Sequence, residues 1–140
     1  AKMSKSDPSD MSRINLTDDA DAIMQKVKKA RTDPEPLPSE AAGLAGRAEA
    51  VNLVGIYAAL SGTTVDGVLA EFGGKGFGAF KPALGELLVE KLAPINARFL
   101  ELRQDRAALD AILRKGAEKA RALAAPTLER AYAALGLVRG

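Results

Sequence analysis

The sequence predicts an all-α fold, a compact helical bundle preceded by an irregular N-terminal loop. Three observations carry this expectation. The 140 residues are 47% hydrophobic but only 4% aromatic, with no tryptophan, a balance that favours helices packed through small residues over a sheet. Apolar residues recur at helical spacing over most of the chain. Capping residues, glycines and prolines fall between those stretches, where helices start and stop. No sustained heptad pattern is present, so a bundle is expected and not a coiled coil.

Residues 1–16 read as loop, because Asp7-Pro8, Ser9-Asp10 and Asn15 are turn formers. A first helix follows. Thr17 is placed to cap it, and Asp18, Asp19 and Asp21 put negative charge on its first turn. Ala20, Ile23, Val27 and Ala30 make its buried stripe. Lys26, Lys28, Lys29 and Arg31 fall in its last turns, where they complement the helix dipole on a solvated face. The same lysines could touch a phosphate backbone, but the dipole accounts for them. Pro34, Pro36 and Pro38 stop the helix and leave an ordered loop or linker through about Gly46.

The helical body is expected to start near Ala48, with Leu53, Ile56, Tyr57 and Leu60 on one face and Ser61-Gly62 at its end. Thr63 or Thr64 caps a short helix carrying Val68, Leu69 and Phe72. The glycine-rich run from Gly73 to Gly78 invites a phosphate-binding reading through Lys75. No strand precedes it and the P-loop spacing is missing, so a helix cap and tight connection is preferred. Pro82 suits a helix N-terminus. The long helix after it should bury Leu84, Leu87, Leu88, Leu92, Ile95, Phe99 and Leu102, with a kink at Pro94. Asp105 can cap the next helix, whose apolar face runs through Leu109, Ile112, Leu113, Ala117, Ala120 and Leu123. Gly116 and Pro126 are expected to interrupt it, leaving a last helix that packs Leu128 and Leu135 and closes at Gly136. Arg114 and Glu118 have the spacing of an i,i+4 ion pair.

Composition excludes several chemistries. The chain has no cysteine, hence no disulfide or thiolate metal site. It has no histidine, hence no Ser-His-Asp or Cys-His catalysis and no imidazole-bound metal. No carboxylate is placed clearly enough to be a metal ligand. The net charge of +2 is too small to argue for nucleic acid by itself, even with an isoelectric point near 9.0. No apolar run is long enough to span a bilayer, and the N-terminus does not read as a signal sequence.

One string stands apart from this helical pattern. Lys2-Met3-Ser4-Lys5-Ser6 sets two ammonium groups three residues apart, with hydroxyls beside them and a methionine able to pin the loop to an apolar surface. Lysines are compact point charges suited to phosphate oxygens, and a mobile loop can bring them up when a polyphosphate binds. A solvated basic tail would show two lysines as well. The ordered five-residue string, however, should arise by chance in roughly one chain of this size in ten thousand or fewer.

That string is the signature loop of class I aminoacyl-tRNA synthetases. The chain resembles the C-terminal part of the bacterial-type tryptophanyl-tRNA synthetases along essentially its whole length, through residues 2–8, 15–19, 28–33, 52–57, 60–62, 74–81 and 116–120. The resemblance implies a division into a signature loop and lead-in (1–16), a connecting helix and proline-rich linker (17–47), and a helical tRNA (anticodon)-binding domain (48–140). It implies ATP-dependent activation of L-tryptophan and transfer to the tRNA for tryptophan, with Mg²⁺ accompanying ATP. Lys5 would be the main pyrophosphate contact and Lys2 the secondary one, both catalytic. Met3, Ser4 and Ser6 would complete the ATP-binding loop. Lys75, Lys81, Arg114, Lys115 and Lys119 are weak candidates for tRNA contact. The family's nucleotide-binding fold carries a His-Ile-Gly-His-like string that a histidine-free chain cannot hold. A fragment of a longer cytoplasmic enzyme is therefore expected, inactive and monomeric alone, from a homodimeric parent. The alternatives are a tyrosyl-tRNA synthetase fragment, or a helical tRNA-binding or interaction module without catalysis.

Overall fold

The computed structural model describes residues 9–138. Among the described residues there is no strand. Five α-helices run in order: α1 (Ala20–Lys29), α2 (Ala48–Ser61), α3 (Val65–Phe72), α4 (Phe77–Gln104) and α5 (Arg106–Leu135), with 3₁₀ turns at Asp10–Ser12 and Ala41–Leu44. The all-helical expectation holds. The chain divides into two units, one ending at Arg98 and the other beginning at Phe99.

The first unit is built on one core. Phe80, Ile23, Leu37, Leu69, Leu84, Val54 and Val68 are fully buried there. Phe80 is the hub of an aromatic cluster, with its ring 5.1 Å from Phe72, 5.7 Å from Tyr57 and 6.4 Å from Phe77. Rings in edge-on and tilted contact contribute beyond the area they bury. α2 begins at Ala48 and stops at Gly62, whose φ of 71° is left-handed. Thr64 caps α3 by accepting from the Gly67 N–H, and Val68, Leu69 and Phe72 are buried. No single described helix is long and apolar enough to cross a membrane. α2 and α3 pass that test only as a pair bent by 105°, and their apolar side chains fill this core.

The proline-rich stretch is an ordered loop. Leu37 is 1% exposed, and its backbone is tied to the turn after α3: Leu37 N–H donates to the Lys75 carbonyl and Gly74 N–H donates to the Leu37 carbonyl. Arg47 fastens the outer side by donating to both Asp33 carboxylate oxygens (3.0 and 2.6 Å) and to the carbonyls of Glu35 and Pro36. Prolines remove donors from this segment, so guanidinium and backbone partners from elsewhere satisfy its acceptors.

The glycines at this turn have separate reasons. Gly74 has φ of 77°, a region costly for residues with a Cβ. At Gly73 a Cβ would lie 2.5 Å from the Leu69 carbonyl oxygen and 3.0 Å from Ser39 Cα. Both obstacles are backbone, so Gly73→Ala is expected to lower stability by about 1–3 kcal/mol. A urea titration of the two chains side by side measures this. An unchanged midpoint would mean that the loop at Ser39 yields freely.

Four expectations about α1 and α4 are corrected. α1 is capped by Asp19, which accepts from the Ala22 N–H at 2.8 Å, and not by Thr17; Ala20 is exposed, outside the buried stripe. α4 starts at Phe77, before Pro82, because Phe77 and Phe80 continue the stripe of Leu84 and Leu88 into the core and draw that turn into the helix. It runs on through Pro94 to Gln104. Ile95 and Phe99 are exposed, at 46% and 41%.

The second unit holds the end of α4 and the whole of α5. Asp105 caps α5 as expected, accepting from the Ala108 N–H at 2.9 Å, and Gly136 closes it with φ of 65°. Two interruptions were expected, at Gly116 and Pro126, but α5 passes both as one helix. A helical glycine costs only about 1 kcal/mol relative to alanine, and the alanine-rich flanks offset it. No residue of α5 is buried: of its predicted apolar face, Leu109, Ile112, Leu113, Ala120 and Leu123 are exposed and Ala117 is half-buried.

Candidate functional site

Lys2, Met3, Ser4, Lys5 and Ser6 lie outside the described residues. The described chain begins at Ser9, and its first residues are held by a polar cluster that the sequence does not reveal. Lys26 is buried, at 5% exposure. Its ammonium donates to Asp10 Oδ2 at 2.6 Å and to Asp18 Oδ2 at 2.5 Å. Asn15 sits between the two acids: Nδ2 donates to both, and its backbone N–H donates to Asp18 Oδ2 at 2.8 Å. Arg13 adds a second cation on Asp10 at 2.8 Å. Asn96 of α4 donates to the Asp18 carbonyl at 2.9 Å.

This corrects the reading of Lys26 as a dipole complement on a solvated face. A signal was present in the sequence. Lys26 falls three residues after Ile23 and one before Val27, on the side that must face the core. A charge there needs partners, and the irregular segment ahead of the helix carries acids that can supply them.

The cluster fixes the ionisation of its members. The Lys26 hydrogen bond, followed by that of Asn15, holds the Asp10 carboxyl below the ordinary 3.8. Burial pushes Asp18 upward, but the Lys26 and Asn15 hydrogen bonds outweigh it, and the net shift is downward. Burial likewise opposes the Lys26 charge, and the two carboxylates outweigh that, raising it above 10.5. Depressed acids stabilise the fold above pH 3.8, and that contribution is lost as pH falls through their folded values. The raised lysine contributes below pH 10.5 and loses its contribution above that. Thermal melts from pH 7 down to 3 should therefore show a steeper loss for the native chain than for Asp18→Asn. Parallel curves would mean that the pair carries no linkage.

The basic candidates divide by what they already touch. Lys81 is half-buried and donates to the carbonyls of Ala30 (2.7 Å) and Lys28 (3.3 Å), so it closes the C-terminal end of α1. Lys75 is exposed, with its ammonium 5.1 Å from the Phe72 ring centroid. Arg114, Lys115 and Lys119 are exposed on α5. Lys115 and Lys119 are one turn apart and share a face, whereas Arg114 turns back to the Asp110 carbonyl (3.4 Å) and not forward to Glu118. A cavity of about 550 Å³ opens between α1 and the start of α4, lined by Met24, Phe77 and Pro82 with Lys28 and Lys81. It has no acid–base pair. Among the described residues no group of three or more acidic side chains could hold a metal.

The described helical body follows in sequence the string that resembles a class I synthetase signature. The family model for tRNA synthetases class I (W and Y) matches residues 1–93, and the chain belongs to that family. Within it, the chain is 70% identical over 128 residues to the tryptophan–tRNA ligase of Caulobacter vibrioides, covering 91% of this chain and 37% of that protein. It is 58% identical over 139 residues to the tryptophan–tRNA ligase of Mesorhizobium japonicum (99% and 39%), and 44% identical over 139 residues to that of Thermosynechococcus vestitus (96% and 40%). The chain thus spans roughly two fifths of the length of these curated relatives.

Proposed function

We propose that the whole protein activates L-tryptophan with ATP and transfers it to the tRNA for tryptophan, and that this chain supplies the signature loop and the helical tRNA-binding part. The observation that carries this reading is the string Lys2-Met3-Ser4-Lys5-Ser6 inside a match of 70% identity to a tryptophan–tRNA ligase. In the reaction the amino-acid carboxylate attacks the α-phosphorus, and the bond to the leaving pyrophosphate breaks. Negative charge grows on that leaving group, so a cation that tightens on it in the transition state lowers the barrier. Lys5 is assigned that task, with Lys2 as the second cation; Ser4 and Ser6 shape the loop or bond phosphate oxygens. Mg²⁺ accompanies ATP and takes its ligands chiefly from the phosphates.

For tRNA, the exposed cations of α5, Arg114, Lys115 and Lys119, are the favoured contacts, with Lys75 after them. Lys81 is the weakest candidate, because its ammonium is already engaged at the end of α1. The reading places the whole protein in the cytoplasm as a homodimer paired outside this chain; a light-scattering mass of one subunit would contradict the dimer. Charging of tRNA with labelled tryptophan and with labelled tyrosine tests the function. Charging with tryptophan alone is expected. Charging with tyrosine would keep the class and overturn the substrate.

A further inference from the structure

We infer that the cavity between α1 and the start of α4 receives one unpaired nucleotide of the tRNA, with its base against the apolar lining and its phosphate at Lys28. This rests on the synthetase reading above.

The apolar lining is fixed in place. Met24 of α1 lies so close to Gly85 of α4 that a Cβ there would strike its sulfur, so helix packing sets this wall. Phe77 is buried, held by contact with the Phe80 ring and with the Arg47 guanidinium, 6.0 Å from its ring centroid. Pro82 completes the lining. The volume of about 550 Å³ falls within the range of small-ligand sites, and an apolar surface accepts the face of any base.

The polar groups choose among apolar guests. Lys28 stands one turn after Met24, exposed, and no described residue bonds its ammonium. Lys81 adds its charge, although its hydrogen bonds go to the end of α1. Gln25 brings an amide able to bond a base edge. Among the described residues that line the cavity, none is an acid. An apolar peptide side chain would leave these cations unanswered. A nucleotide answers both features, with a flat base and a phosphate.

The test uses the whole protein. It measures the KM for tRNA in charging, beside tryptophan-dependent ATP–pyrophosphate exchange, a step that precedes tRNA. Gly78 lines the cavity, and a Cβ there meets nothing within 4 Å, so Gly78→Leu fills the space without touching the core. It is expected to raise the KM for tRNA about tenfold, the worth of one stacked base, with exchange at the native rate. Lys28→Ala should raise it by a similar factor and reduce the salt dependence of tRNA binding by about one phosphate contact. Lys28→Arg, which keeps the charge, should recover most of the loss. If Gly78→Leu fails to fold, the two Lys28 variants keep the test valid. An unchanged KM for tRNA in variants with full exchange would overturn the inference. A thiol introduced by Gln25→Cys should be alkylated in the protein alone and protected by tRNA. Protection without tRNA would mean that the rest of the protein covers the cavity, which would also overturn it. A native protein that charges no tRNA with tryptophan would instead remove the reading on which this inference rests.

Discussion

Replacing Lys5 with alanine in the whole protein is expected to slow tryptophan-dependent ATP–pyrophosphate exchange by about a hundredfold or more. The size follows from what preorganised donors contribute at a site of developing charge, about 10²–10³ in rate for one contact. On the proposed function the lysine tightens as pyrophosphate leaves and does not hold the amino acid, so the loss should fall on kcat, with the KM for tryptophan little changed. Lys2→Ala should cost less, about tenfold, a loss of about 1.4 kcal/mol in transition-state binding. Lys75→Ala is the useful control. Its ammonium sits over the Phe72 ring, and it should leave exchange unchanged. A Lys5→Ala enzyme with normal kcat would show that the string does not meet the leaving group.

The largest stability effect is expected at Phe80. It is 0% exposed and touches the rings of Tyr57, Phe72 and Phe77. Phe80→Ala removes the hub of that cluster and leaves a cavity that helices cannot easily collapse into, at a cost of about 3–5 kcal/mol. That is a large part of the stability of a small unit. Phe80→Leu, which keeps most of the volume, should cost much less. Calorimetry on the three chains distinguishes them; similar melting temperatures for Phe80→Ala and the native chain would mean that the core lies elsewhere.

Local rules were enough for the elements whose signals are local. Ala48 as a start, Gly62 as a stop, Thr63 or Thr64 and Asp105 as caps, and the glycine turn after α3 all follow from side chains acting within a few residues; the structure selects Thr64. The features that were not legible depend on distant partners. Lys26 looked like a dipole complement because periodicity shows which face a residue is on, but not that an irregular segment folds back over that face with two carboxylates. No local signal singles out Arg47, because its acceptors, Asp33, Glu35 and Pro36, lie across a proline-rich loop. Pro82 suggested a helix start by its own chemistry, and burial of Phe77 and Phe80 overrode it. In α5 the apolar pattern was read correctly as helix, but a pattern states only that a face can be buried. The signature string was legible by the order of its residues alone, and its roles are proposals drawn from that order and from the family.

The measurement that bears most directly on this account is amino-acid-dependent ATP–pyrophosphate exchange by the whole protein, with tryptophan and tyrosine tested in parallel. The account predicts exchange with tryptophan and only background with tyrosine. Exchange with neither amino acid would contradict it.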